Sequence, residues 1–445
     1  MFSHTDRRTF LAAIAATGAG LATSRGSFAQ NATPAATPAG HDEHEHGHEG
    51  GDDLFLLVGD AEARTVSVYN PADGTVIETL SDVVMNSHAG TISLADGSVL
   101  FVDELGQRLM RISVHGDHLD IQEAPVPGHV AHIAIESEHA HYCAVGTSAE
   151  DEFQLHLVDL ETWEVTSLQL PDAAEVGLMM THDNLFHRNS KLNRLEAYDL
   201  PTLLGGTVEM LGSVEIGQFG HGEAVSEATG ELFMLTDDGI DIAYWDSPEL
   251  TYGKTLEWPA SEPASRGYFA RTIGEGSHLL TYTADRSAPE TEWQTWKNRC
   301  LVYDIASGEP IVTDLPDGYV FRYALAEHTA AFVVIGAEED VLITIDTDVE
   351  SATLGAIVNT VPLAPMSDPA QPGDAFYEKS AYRALAISTD GEQVFVTQGG
   401  DGLVHIINPS HGEVESSLHH ETPLTGGGTL AVFGTAVPVW DTIGR

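Results

Sequence analysis

The chain has 445 residues, of which 68 are acidic and 19 basic, giving a formal net charge of −49 at pH 7. Forty-two per cent of the residues are hydrophobic, enough for a large packed core. The charge repels phosphate backbones and anionic headgroups, so nucleic acid and membrane surfaces are excluded as partners, and cations are what the field attracts.

Residues 1–29 read as an address. Asp6-Arg7-Arg8-Thr9-Phe10-Leu11 is a twin-arginine signature. An apolar run of small residues follows, then Ser27-Phe28-Ala29, a small-x-small cleavage pattern, and the segment is expected to be a Tat signal peptide. The run is too short to span a bilayer, and no other stretch reaches the ~20 apolar residues a span needs. A periplasmic or otherwise extracytoplasmic protein without membrane insertion is therefore expected. Removal of the signal takes away one acidic and three basic side chains and moves the charge from −49 to −51.

Residues 30–53 form a second segment. Residues 30–40 are rich in Ala, Thr and Pro and read as a flexible linker. His41-Asp42-Glu43-His44-Glu45-His46-Gly47-His48-Glu49 follows, then two glycines, Asp52 and Asp53. No apolar residue is present to fold this tail, so disorder is expected in the absence of metal. Neutral imidazoles two or three residues apart on a flexible chain can wrap Zn²⁺, with Cu²⁺ or Ni²⁺ as lesser candidates. His41, His44, His46 and His48 are the candidate capture ligands.

From residue 54 to 445 the pattern is all-β: short apolar runs separated by Gly, Asp, Asn and Ser turns. One phrase recurs, an apolar pair ending in Asp or Asn before a turn. It ends at Asn70, Asp159, Asp199, Asp246, Asp304, Asp346 and Asn408, with a degenerate copy at Ser113-Val114, at an average spacing of about 48 residues. Four strands in each such unit is the period of a β-propeller. Inner strands are expected to start near residues 88, 132, 177, 221, 268, 322 and 382. The remaining blade is split between residues 54–80 and Thr429-Leu430-Ala431-Val432-Phe433, so that the two termini close the ring. Eight blades are favoured. Seven is the alternative, because insertions at 286–298 and 362–379 lengthen the sixth and seventh units and are expected as surface loops.

In such a ring the inner strands face a central channel. His88, His132 and His221 each begin an inner strand, in blades two, three and five, and are expected to point at one axis. His129 precedes His132 in Gly128-His129-Val130-Ala131-His132. Asp103 and His187 end second strands near the same face. Three imidazoles and a carboxylate are a sufficient set for tetrahedral zinc. His115-Gly116-Asp117-His118 turns between the last two strands of blade two, on the opposite face. His139 and His141 turn between the first two strands of blade three, and adjacent blades are expected to bring the two turns together. A weaker metal site and a merely solvated His-rich loop pair account for this group equally well. Cys143 and Cys300 lie three units apart and are expected as buried free thiols. Neither has zinc or Fe–S spacing, so any metal site must use His and carboxylate.

The export signal, the His/Asp/Glu tail and a propeller bearing His115-Gly116-Asp117-His118 together resemble the periplasmic zinc metallochaperones of the AztD type. The resemblance implies zinc bound in a propeller, capture by the flexible His-rich segment, and delivery to the solute-binding protein of a zinc ABC transporter. It implies no enzymatic activity, and a monomer is expected. The chain departs from the family pattern at Leu119-Asp120, where a further His or aromatic residue is expected. Two other readings stay open. One is an exported metal-dependent propeller enzyme, a hydrolase or oxidoreductase. Nitrous oxide reductases are also Tat-exported propellers but need many more hub histidines, and lactonase-like propellers rely on hub carboxylates. No Ser/His/Asp order or paired-carboxylate signature is present. The other reading is a non-catalytic acidic scaffold. Imidazole protonates near pH ~6.5, so acid is expected to release a His-bound metal.

Overall fold

The computed structural model describes residues 54–136, 141–149, 152–171, 177–218, 222–226, 229–259, 265–285, 287–374 and 382–434. The expected signal, linker and His-rich tail, residues 1–53, lie outside the described residues. Among the described residues no helix is long and apolar enough to cross a membrane.

The architecture is an eight-bladed β-propeller of eight four-stranded antiparallel sheets. Blade one takes Phe55–Asp60, Thr65–Asn70 and Thr75–Ser81 from the start of the domain and Thr429–Phe433 from its end. The inner strands of blades two to eight are Thr91–Ser93, His129–Ile135, Leu178–Met180, Glu223–Ser226, Ser265–Ile273, Tyr319–Leu325 and Leu385–Ile387. These lie within a few residues of the positions that the repeat spacing predicts, and the seven-blade alternative is set aside.

Each blade packs between two neighbours, so its middle strands are apolar on both faces rather than alternating. Val99–Asp103, Glu231–Leu235 and Val394–Gln398 are buried along their whole length. Eight apolar clusters fill the eight spaces between blades. Leu100, Val102, Ile133 and Val145 belong to the cluster between blades two and three. Leu57, Phe101, Ala431 and Phe433 belong to the one that closes the ring between blades one and two. Each fully buried Val, Leu or Phe contributes roughly 1.5–3 kcal/mol, so the ring is held by many interblade contacts of similar weight. At the closure Phe55 and Phe433 lie 5.5 Å apart, and the Ser93 hydroxyl donates to the Val432 carbonyl at 2.6 Å, linking blades one and two.

The recurring Asp or Asn has a local cause. It ends the third strand of its blade, and at six of its seven positions its side-chain oxygen accepts a backbone N–H of the segment that follows. Asn70 accepts from Ala72, Asp159 from Glu161 and Thr162, Asp199 from Thr202, Asp304 from Ser307, Asp346 from Asp348, and Asn408 from Ser410. These acceptors satisfy donors that would otherwise lack partners, at Asp199 as the N-cap of a short helix, whereas Asp246 in blade five ends a strand that reverses through Ser247-Pro248. Blade two breaks the pattern. Its third strand runs to His115 and reverses through Gly116-Asp117 alone.

The insertion after residue 285 corrects one expectation. It forms a short 3₁₀ segment, Glu290–Thr295, and its tryptophans Trp293 and Trp296 are buried in the core between blades seven and eight rather than lying on the surface. The Gly373 N–H, in the second insertion, donates to the Thr291 carbonyl at 3.0 Å, so the two insertions brace each other. Cys143 and Cys300 are free and buried in blades three and six. Burial pushes the Cys143 thiol up to about 12 and raises Cys300 as well, which makes both inert as ligands.

Candidate metal centre

The rim hairpin of blade two gathers exposed nitrogen and carboxylate donors. Arg108–His115 and His118–Pro125 pair with His115 opposite His118 and Ser113 opposite Asp120. Side chains alternate along a strand, so His115, His118 and Asp120 all project from one face. The His115 Nε2 lies 3.3 Å from Asp120 Oδ2, and the His118 Nε2 lies 4.0 Å from Asp120 Oδ1. His118 Nδ1 is 3.7 Å from Asp117 Oδ1. A two-residue reversal needs a left-handed first residue, which Gly116 supplies with φ 65°. A Cβ there would meet nothing within 4 Å, so the requirement is conformational rather than steric.

The three donors are about two-thirds exposed, at 64, 63 and 60 %. An open depression of about 350 Å³ lies against His115 and Asp120, lined also by Arg111, Ser113 and Gln122. Arg111 bonds Asp96, which offsets its charge beside the donors. Among the described residues no three His, Cys, Asp or Glu side chains are already drawn together tightly enough to hold an ion. Asp120 is a donor that the sequence reading does not single out. The resemblance marks it as a departure from a family pattern, whereas the period-two alternation from His118 places it on the face that carries His115 and His118.

The hub brings together two of its three predicted histidines. The His88 and His132 rings are 5.6 Å apart, edge to face. His132 is 5 % exposed, and a bulge between Val130 and His132 turns its strand locally. His221 lies outside the described residues. His129 begins the inner strand of blade three and is exposed. A guanidinium stands beside the pair, since Arg322 Nη2 donates to the carbonyls of Ser87 and His88.

Asp103 and His187 have other partners. The Asp103 carboxylate is fully buried, accepts from the Val84 and Leu105 N–H groups and bonds Arg108 at 2.9 Å. Its oxygens thus hold a turn and an ion pair. His187 lies inside the second strand of blade four, not at its end, opposite Leu178. Its ring is 5.1 Å from Phe153 of blade three, and its Nδ1 bonds Glu196 at 3.1 Å. It is packed between blades. His139 and the tail ligands His41, His44, His46 and His48 lie outside the described residues. The structure links His141 to blade four: the buried Glu136 accepts its N–H at 2.9 Å and bonds the His182 Nδ1 at 2.9 Å.

No protein-family model matches the chain, and no curated protein matches its sequence. Solved structures match by fold. The apo structure of AztD from Citrobacter koseri superposes with a TM-score of 0.60 at 13% identity, covering 86% of this chain and 99% of that one. A second structure of AztD from Citrobacter koseri gives 0.61 at 13% identity, with 85% and 98% covered. The dihydro-heme d1 dehydrogenase NirN, in complex with DHE, gives 0.59 at 14% identity, with 88% and 76% covered. At these identities the likeness shows a shared propeller fold.

Proposed function

We propose that this propeller is an exported zinc chaperone that collects Zn²⁺ and passes it to the solute-binding protein of a zinc ABC transporter. The observation that carries the reading is the single face of the blade-two hairpin that bears His115, His118 and Asp120. Two imidazoles and a carboxylate are three of the four ligands tetrahedral zinc takes, and the fourth position stays open to a donor from elsewhere. The fold it shares with AztD and the four-histidine tail support the same reading. An open, three-ligand cargo site on a rim suits hand-over: the tail supplies a donor on capture, a partner supplies one on release, and zinc moves by ligand exchange without ever being bare. The net charge of −49 raises the local cation concentration at such a rim.

Equilibrium dialysis of the signal-free chain against Zn²⁺, Cu²⁺ and Ca²⁺ tests this. Zinc is expected to bind and calcium not. Replacing His115 or Asp120 by Ala should weaken zinc at least about tenfold, since each removes a ligand from a set of three. Deleting residues 41–53 should reduce the number of zinc ions bound while leaving the hairpin site. Binding of none of these ions above background would leave an inert acidic scaffold, and equal zinc affinity in the wild type and in both Ala variants would remove the hairpin from the argument.

A further inference from the structure

The face of the blade-two hairpin that bears the metal donors continues beyond them. Strand register puts three pairs on it: His115 with His118, Ser113 with Asp120, and Arg111 with Gln122. Successive pairs on one face are two residues apart, about 7 Å along the strands. The open depression of about 350 Å³ is lined by members of all three, His115, Ser113, Asp120, Arg111 and Gln122. Its turn end offers imidazole nitrogen and carboxylate oxygen to a cation. Its far end offers hydrogen-bond donors instead, from the Ser113 hydroxyl, the Gln122 amide and the Arg111 guanidinium.

The guanidinium is held in place by its neighbours. Arg111 Nε donates to the Ser98 hydroxyl at 2.8 Å, and Nη2 bonds the Asp96 carboxylate. Asp96 is tied to Ser98 in turn, because its Oδ1 accepts the Ser98 N–H at 3.0 Å and the Ser98 hydroxyl at 2.6 Å. Nη1 is different. Among the described residues its contacts are long, 3.4 Å to Gln122 Oε1 and 3.5 Å to the Leu160 carbonyl. An N–H···O bond is best near 2.9–3.0 Å, so Nη1 retains capacity for a stronger acceptor. Gln122 uses its oxygen toward Arg111, which leaves its amide nitrogen as a second donor at an exposed position. The Arg111 side chain is only 22% exposed, and a charge-assisted hydrogen bond gains strength with partial burial.

We propose that the hairpin takes zinc together with a small free dicarboxylate, one carboxylate filling the open fourth position on the metal and the other held by Arg111 and Gln122. A bare cation would satisfy only the turn end of the depression. A compact dianion such as sulfate is too short to touch both ends. Two or three carbons between the carboxylates bridge the step of about 7 Å from one pair to the next. The depression has the volume of a small-molecule pocket. The net charge of −49 opposes entry of a dianion by itself, so the acid binds only with the metal. The inference rests on the zinc reading of the hairpin and adds the class of molecule that accompanies the ion.

Calorimetric titration of the signal-free chain tests it, first with zinc alone and then, at saturating zinc, with succinate, acetate or sulfate at constant ionic strength. Succinate is expected to bind the zinc-loaded chain one-to-one and to give no saturable heat with the metal-free chain. Acetate and sulfate should bind at least about tenfold more weakly, since neither reaches Arg111 from the metal. Arg111→Gln, saturated with zinc, should weaken succinate at least about tenfold, to the level of acetate. Gln122→Glu should weaken it as well, because it sets a carboxylate among the donors. Should Arg111→Gln fail to fold, Gln122→Glu decides, as its exposed position tolerates the change. Zinc binding without succinate binding, succinate no tighter than acetate or sulfate, or wild-type succinate affinity in the folded variants would overturn the proposal and leave the zinc reading in place. A chain that binds no zinc would overturn both.

Discussion

Glu196 is the most heavily engaged carboxylate among the described residues. It is fully buried, and its oxygens accept from Asn189, Arg194, Tyr198 and the His187 ring. Burial alone would raise it, but the hydrogen bonds from His187, Tyr198 and Arg194 overcome this and hold it at about 2. A carboxyl whose folded value lies below its unfolded ~4.5 stabilises the protein fully above that pH and loses the contribution as pH falls through the folded value. Glu196→Gln is therefore expected to cost on the order of 3 kcal/mol near neutrality, with the two proteins converging toward about pH 2. Urea midpoints across that range check it, and a pH-independent difference would point to packing instead. The sequence reading placed His187 and Asp103 among zinc ligands because their strand positions lay near the hub by count. Their partners in Glu196 and Arg108 come from the neighbouring strand, and pairing of that kind is invisible in a spacing argument.

At the scale of elements, the strand that closes the ring and the hairpin that departs from the repeat matter most. Phe433 is 1% exposed and packs on Phe55 across the seam where the two ends of the domain meet. Phe433→Ala is expected to cost about 3–5 kcal/mol, because a cavity opens at a seam that is held by strand pairing and packing. Val358 is 53% exposed on an outer strand, and Val358→Ala should stay within about 0.5 kcal/mol. Equal effects on the melting temperature would show that the seam is not a weak point. The split blade was legible because Thr429-Leu430-Ala431-Val432-Phe433 reads as a strand with no unit of its own. The repeat anchors were legible because an Asp or Asn at most strand ends accepts backbone N–H groups of the segment that follows. Blade two was legible only as a degenerate copy, yet that degeneracy is what frees its turn to present His115, His118 and Asp120.

For the molecule as a whole, the charge of −49 acts against compaction. The Debye length shrinks from ~30 Å at ~0.01 M salt to ~3 Å at ~1 M, so salt relieves repulsion across the ring. The melting temperature of the metal-free chain is expected to rise with sodium chloride over that range. A fall would mean that attractive ion pairs such as Arg188–Glu223 and Arg383–Asp340 outweigh the net repulsion.

The amino-acid pattern alone determined the all-β class, the four-strand repeat, the eight units and the seam. Each of these is encoded locally, in apolar runs, turn residues or a charge composition, and local signals survive without a fold. Which donors meet was decided by the tertiary structure. Ring closure sets Arg322 against Ser87 and His88, more than two hundred residues away in the chain. Single-residue bulges in three inner strands re-aim what those strands present, and they leave no mark on hydrophobic periodicity. A count of residues can name the strand that carries a side chain, but its partner is fixed only once neighbouring blades pack and the axis closes.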